Sequence, residues 1–187
     1  NTLKTNEFTI ISNQEIVSDN THLIKLAPKD KMKFQSGDLL SVFANYEENP
    51  RQYSIAKIDD NILLSVKKHE KGICSKYLCD LNEGNIINAS IEYNNSFHFV
   101  KNAPSVWMIA NGTGIAPFLG MIDENSSTHL KLIWGGRHDS SFDLYKPFVK
   151  KATDKGLMDG YELALSRTGK KQYVQNILAE KQIEVSN

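Results

Sequence analysis

The sequence predicts two units in series, an antiparallel β-barrel over residues 1–103 and a parallel α/β layer over residues 104–187. Short strand-like runs separated by turn residues fill the chain from Phe8 to about Val100, which is the pattern of a small barrel. After Pro104 strands alternate with helical segments, which predicts a right-handed parallel sheet. Between the first of those strands and its helix stands Gly112-Thr113-Gly114, which reads either as a turn that lays a diphosphate on a helix N-terminus or as a plain strand-to-helix turn.

In the barrel half, Thr9-Ile10-Ile11 and Gln14 to Val17 form an opening strand bent around Ser12-Asn13. His22 to Leu26 reads as a second strand with imperfect alternation, Leu23 and Lys25 against Ile24 and Leu26. Gly37-Asp38 is a turn ahead of Leu39 to Phe43, an apolar run of strand length. Asn49-Pro50 is another turn, and it delivers the chain into Arg51-Gln52-Tyr53-Ser54-Ile55-Ala56. Asp59-Asp60-Asn61 signals a hairpin into Ile62 to Lys67. Gly72 ends the strand run, and Ser75 is suited to N-cap a short helix reaching Leu81. Asn82-Glu83-Gly84-Asn85 turns into a closing strand, Ile86 to Ile91, and Phe97 to Pro104 reads as a linker.

In the second half, Val106 to Ala110 is a continuous apolar strand, as expected where a parallel sheet is covered on both faces. Pro117 falls in the first turn of the following helix, where its missing N–H does no harm. Leu130 to Trp134 is the next strand and ends in Gly135-Gly136-Arg137; a helix opens at Asp143-Leu144-Tyr145 and runs to about Ala152. Tyr161 to Leu165 is a third strand, ending in Ser166-Arg167, and a helix follows from Tyr173 to about Ile183 with Val174, Ile177 and Leu178 on one face.

Composition narrows the function classes. Lys plus Arg and Asp plus Glu both number 22, which argues against a dedicated nucleic-acid or membrane-surface binder. Cys74 and Cys79 form neither a disulfide framework nor a zinc site, and the five histidines have no ligand spacing, so no metal is expected. No apolar run approaches a membrane span and no signal peptide is visible, so the expectation is a soluble cytoplasmic protein or a cytoplasmic domain of a larger one. The chain starts without Met, as a piece of a longer protein would.

The chemistry concentrates on Arg51 to Ser54. On a strand, Arg51 and Tyr53 point to one face and Ser54 to the other. Tyr53 is suited to stack on a flat ring, Ser54 to hydrogen-bond a ring nitrogen, and Arg51 to grip a diphosphate. The same residues also read as a half-buried strand with an exposed cation. Likewise Lys71 to Leu78 reads as either an anion-binding helix start or an ordinary capped helix.

The ordered set of Arg-x-Tyr-Ser, Gly-x-Cys-Ser-x-x-Leu, Gly-Thr-Gly-Ile-Ala-Pro-Phe, Gly-Gly-Arg then Asp-x-Tyr, and Ser-Arg then Tyr-Val-Gln resembles the ferredoxin–NADP reductase family. Within it the chain looks most like the FAD/NADPH module of the sulfite reductase flavoprotein subunit and related diflavin reductases. The resemblance implies an antiparallel Greek-key FAD-binding barrel followed by a parallel NADP-binding α/β domain. It implies that Arg51, Gln52, Tyr53 and Ser54 hold FAD, with Tyr53 against the isoalloxazine and Ser54 near its reactive nitrogen as the catalytic residue. Ser65, Val66 and Lys67 would lie along the flavin, and Gly72, Ile73, Cys74 and Ser75 would meet the diphosphate. Thr113 would meet the nicotinamide nucleotide, and Ser166, Arg167, Lys171, Tyr173 and Gln175 would read the adenosine end of NADP. A 2′-phosphate suits that last set of an Arg, a Lys and two hydroxyls.

The implied activity is hydride transfer from NADPH to flavin N5, then single-electron transfer to a carrier such as a flavodoxin-like domain, a ferredoxin or a haem protein. A free-flavin reductase and a non-catalytic FAD-binding fragment are the alternatives. Two departures from the family stand out. The family's further strand with a Cys-Gly motif and its C-terminal aromatic are not found before Asn187, so a truncated sheet with an apolar edge beside Val106–Ala110 is expected. Only Ala44 to Pro50 stands where diflavin reductases carry a helical insertion, which suggests a compact version.

Overall fold

The computed structural model describes residues 4–44 and 49–182. The first half forms β1 (Asn6–Ile16), β2 (Thr21–Pro28), β3 (Leu39–Val42), β4 (Arg51–Ser54), β5 (Ala56–Ile58), β6 (Asn61–Lys67) and β7 (Ile86–Glu92), with α1 (Ile73–Cys79) between β6 and β7. The strands pair antiparallel in the order β4-β3-β7-β1-β2-β6-β5. The two outermost strands are consecutive in the chain, joined through Ile55 alone, so the sheet curls until its edges meet. Ile55 N donates to Asp38 O at 3.0 Å and Gly37 N donates to Ile55 O at 2.9 Å, which pins that corner.

The barrel is filled by alternate residues of its strands, among them Phe8, Ile10, Ile24, Leu26, Leu40, Ile62, Leu64 and Ile87. The opening strand bends as expected, through a register shift between Ile10 and Ser12. Beyond the bend, Asn13 turns its amide nitrogen onto the end of α1 and the turn after it, reaching Cys79 O at 3.1 Å and Leu81 O at 2.7 Å. These bonds satisfy carbonyls that a helix end leaves free, and they seat α1 as a plug with Cys74, Leu78 and Cys79 in the barrel core. Burial pushes the Cys79 thiol up to about 12, so it stays protonated.

Three parallel strands follow, β8 (Ser105–Asn111), β9 (His129–Gly136) and β10 (Met158–Leu165), in the order β10-β9-β8. With them come α2 (Ala116–Glu124), α3 (Lys146–Asp154) and α4 (Val174–Glu180). A second core lies between the two sheets. Leu23, Ala56 and Leu63 leave the outer face of the barrel to pack with Met108, Ile115, Leu119 and Trp134. This explains the imperfect pattern of β2: Leu23 and Ile24 are both buried, one on each face of the barrel wall. The helix α2 lies so close to β5 that a Cβ on Gly120 would come within 2.9 Å of Lys57 N.

Several expectations need correction. Ser75 is not the N-cap; Gly72 is, and the Ser75 hydroxyl turns back onto Gly72 O at 3.2 Å while accepting from His69 N at 3.2 Å. The helix α1 stops at Cys79, short of Leu81. Asp143 to Tyr145 form a turn after a short 3-10 segment, and α3 opens only at Lys146 with Pro147 in its first turn. The glycine turn is itself a 3-10 segment, Gly112–Ile115, which runs directly into α2. The strand β8 is buried on one face only: Met108 is covered while Ile109 keeps 40% of its surface exposed. It pairs with β9 and forms the sheet edge. Ile183 and most of the Ala44–Pro50 segment lie outside the described residues. No helix among the described residues is long and apolar enough to cross a membrane.

Candidate cofactor cleft

Where the C-terminal ends of the parallel strands face the barrel, a cleft of about 370 Å³ opens. Ligands of open parallel sheets bind at this end of the strands. The barrel contributes Asp19, Thr21 and Lys67, the last residue of β6. The parallel sheet contributes the Asn111-Gly112-Thr113 turn, the end of β9 through Arg137, and Ser166 and Tyr173.

Local packing fixes this wall. Gly112 takes φ +52°, and its carbonyl accepts from Trp134 Nε1 at 2.9 Å, which ties the end of β8 to β9. Gly136 must lack a side chain, since a Cβ there would sit 2.1 Å from the Trp134 ring. Beyond the regular strands, Ser166 N donates to Gly136 O at 3.0 Å and Arg167 N donates to Arg137 O at 2.9 Å. The ladder thus continues far enough to put the two arginines side by side. Tyr173 stands at the N-cap of α4, where its N–H donates to Asn176 Oδ1 at 2.8 Å.

The cleft is electropositive. The Lys67 ammonium is held below its usual pKa, chiefly by desolvation and then by the Arg137 charge, with Asp19 opposing and Arg167 adding. A lysine depressed in this way by neighbouring cations is eased by an anion, and a phosphate supplies several oxygens for it.

A second group of residues lies on β4. Arg51 and Ser54 are exposed, and Tyr53, paired opposite Leu40, leans half-buried against the barrel core. Burial, and next a hydrogen bond with Cys74, raise the Tyr53 phenol well above its ordinary value. The Gln52 amide donates to Glu92 Oε2 at 2.7 Å, and Ser41 donates to the other oxygen of the same carboxylate. The exposed hydroxyl and guanidinium therefore stand on a strand whose neighbours are fixed.

Comparison with known proteins agrees with this layout. The chain is 34% identical over 157 residues to the sulfite reductase [NADPH] flavoprotein alpha-component of Baumannia cicadellinicola, matching 74% of this chain and 26% of that protein. It is 32% identical over 148 residues to the NADPH-dependent diflavin oxidoreductase 1 of Schizosaccharomyces pombe, matching 70% of this chain and 25% of that protein. A ferredoxin–NADP+ reductase from Plasmodium falciparum, solved with 2′P-AMP, superposes with a TM-score of 0.79 at 17% identity over 98% of this chain and 82% of that one. A cytochrome P450 reductase from Amycolatopsis gives a TM-score of 0.77 at 21% identity over 95% of this chain and 58% of that one. The chain has the fold of the ferredoxin–NADP+ reductases and is homologous in sequence to the sulfite reductase flavoprotein and diflavin oxidoreductases. It spans about a quarter of the length of the two curated relatives described above. No family model matches it.

The expected site residues of this ferredoxin–NADP reductase relative fall into three groups. Lys67, Thr113, Ser166 and Tyr173 line the cleft together. Arg51, Gln52, Tyr53 and Ser54 share β4, with Cys74 in contact behind Tyr53. The rest are placed differently. Val66 is a core residue, Cys74 and Ser75 are buried, and Ser65 gives its hydroxyl to a buried bond with Tyr145 at 2.7 Å. Gly72 caps α1, and Ile73 is 54% exposed beside it. Arg167, Lys171 and Gln175 are exposed outside the cleft lining, with the Lys171 ammonium 5.2 Å from the centre of the Tyr173 ring. Residue reading gave no role to Asp19, Arg137, Trp134 and Tyr145, which all line the cleft. Arg137 had a usable signal, since it directly follows a parallel strand at the end where ligands bind.

Proposed function

We propose that the chain is the FAD- and NADPH-binding module of an NADPH-dependent flavoprotein reductase. In this reading residues 1–103 form the flavin domain and residues 104–187 the nucleotide domain. One observation carries it: Lys67 from the barrel and Thr113, Arg137, Ser166 and Tyr173 from the parallel sheet line one cleft. A cationic cleft with several hydroxyls suits a phosphorylated dinucleotide. Both curated relatives are named for NADPH, which supports the same donor.

The residues present fit both groups. Lys67, Arg137 and Arg167 would hold the phosphates of the nucleotide, with Arg167 and Lys171 toward the 2′-phosphate. Thr113 would steady the nicotinamide end, and Tyr173 and Gln175 the adenosine end. Tyr53 and Ser54 would flank the flavin ring, with Arg51 and the start of α1, at Gly72 and the exposed Ile73, toward its diphosphate. Bound there, the cofactors supply the redox chemistry, a hydride passing from nicotinamide to flavin and electrons leaving singly for a carrier. The protein's own task is to position the two rings and to exclude water. Ser54 would donate a hydrogen bond where charge develops. The electron acceptor would be a flavodoxin-like domain, a ferredoxin or a haem protein, and the cytoplasm the setting.

The test is an anaerobic absorption spectrum of the purified chain supplied with FAD. Retained flavin that bleaches on NADPH, and far less on NADH, is the expected result. A protein that holds no FAD and binds no 2′-phosphorylated nucleotide would overturn the reading.

A further inference from the structure

Asp19 sits at the barrel side of the cleft, in the 3-10 turn Val17–Asp19 that joins β1 to β2. Its Oδ1 is withdrawn from water and meets no hydrogen-bond partner among the described residues. A buried carboxylate oxygen in that state is costly, and a ligand that brings a donor relieves the cost. The turn itself is anchored at the seam, where the hydroxyls of Ser18 and Ser140 meet at 3.4 Å. Asp19 therefore belongs to the cleft wall.

The rest of that wall has the opposite polarity. Lys67 and Arg137 present cations, and Thr113, Ser166 and Tyr173 present hydroxyls. The phosphate oxygens of a dinucleotide belong with those donors, and Asp19 repels them. A ribose differs, because its vicinal hydroxyls are donors and a carboxylate accepts both. In a dinucleotide whose adenosine ribose carries a 2′-phosphate, the nicotinamide ribose alone keeps a free diol.

We propose that Asp19 accepts the hydroxyls of the nicotinamide ribose and so fixes how far the dinucleotide slides along the cleft. The proposal requires a turn of the Asp19 side chain that brings Oδ1, buried in the structure, to the surface of the cleft that Asp19 lines. This rests on the NADPH reading above and adds the residue that would set the nucleotide's register.

Calorimetric titration of the 187-residue chain with NADP+ and with 2′-phospho-AMP tests it. The second ligand has no nicotinamide ribose. Asp19→Ala should weaken NADP+ by about tenfold, and Asp19→Asn by less, because the amide still accepts one bond. Neither should move the affinity for 2′-phospho-AMP by more than about twofold. In the unaltered chain, an NADP+ analogue lacking the 2′-hydroxyl of the nicotinamide ribose should also bind more weakly, which needs no variant to fold. Unchanged NADP+ affinity, equal losses for both ligands, tighter binding of both in Asp19→Ala, or full affinity for the analogue would each overturn the assignment. An unaltered chain that binds neither ligand would overturn the nucleotide reading as well.

Discussion

Ser65 Oγ and Tyr145 OH lie 2.7 Å apart in a buried hydrogen bond that joins β6 of the barrel to the turn before α3. Burial raises the Tyr145 phenol to about 12, against the pull of the Ser65 bond and with the Asp19 charge adding, so both hydroxyls are neutral at ordinary pH. Tyr145 is also part of the cleft wall, with its ring against Trp134 and Phe142. Two residues beyond Ser65 on the same strand, Lys67 enters the cleft. The bond therefore fixes the barrel cation relative to the opposite wall.

Tyr145→Phe leaves the Ser65 hydroxyl buried without its partner, and Ser65→Ala does the same to the phenol. Each single variant should lose about 1–3 kcal/mol of unfolding free energy, the cost of an orphaned buried polar group. The double variant should lose less than the sum of the two, because it orphans nothing. Urea unfolding of the four proteins checks this; additive losses would mean that the two hydroxyls are not coupled.

An arginine just outside the cleft lining yields a prediction on donor choice. Arg167 is exposed, yet its charge reaches Lys67. If it reads the 2′-phosphate, Arg167→Ala should weaken NADPH by about tenfold and NADH hardly at all. Competitive binding of the two nucleotides measures both losses, and equal losses remove Arg167 from that role.

Much of this was legible from local pattern. Turn residues and strand-length apolar runs gave nearly every strand, and the shift from antiparallel to alternating elements after Pro104 gave the two sheets. The limits were physical. The alternation of β2 blurs because Leu23 faces the second core and Ile24 the first. Ser75 misleads because a serine near a helix start signals a cap, whereas here glycine caps and the hydroxyl folds back onto its carbonyl. Ser65 and Tyr145 are 80 residues apart, so no spacing rule connects them. Asp19 lies in an unremarkable polar turn, and its role at the cleft depends on a wall built from the far half of the chain.

Ser54 offers the most direct test of the flavin-side assignment. It is exposed on β4, paired opposite Leu39, and no hydrogen bond within the fold depends on its hydroxyl among those described. Ser54→Ala should therefore leave folding and FAD retention intact while slowing flavin reduction by NADPH about 10²-fold or more, as loss of a hydrogen-bond donor to a developing charge does. Stopped-flow reduction at the native rate would count against it. Loss of FAD itself would instead assign Ser54 to binding.

His22 makes stability depend on pH. Its Nδ1 donates to Asn13 Oδ1 at 2.7 Å, because the Asn13 amide nitrogen is committed to carbonyls at the end of α1 and in the turn after it. Burial lowers its pKa from 6.5; Glu15, 3.7 Å from Nε2, and Asp80 oppose the shift, and Lys68 adds to it. A lowered value means that the unfolded chain takes up the proton first. Stability is then full above pH 6.5 and declines as the pH falls through the folded value. The melting temperature should drop between about pH 7.5 and about pH 5, and His22→Gln, starting lower because its fit to Asn13 is poorer, should show a flatter profile over that window. Equal slopes in the two proteins would place the pH dependence elsewhere than on the link between β2 and the plug helix.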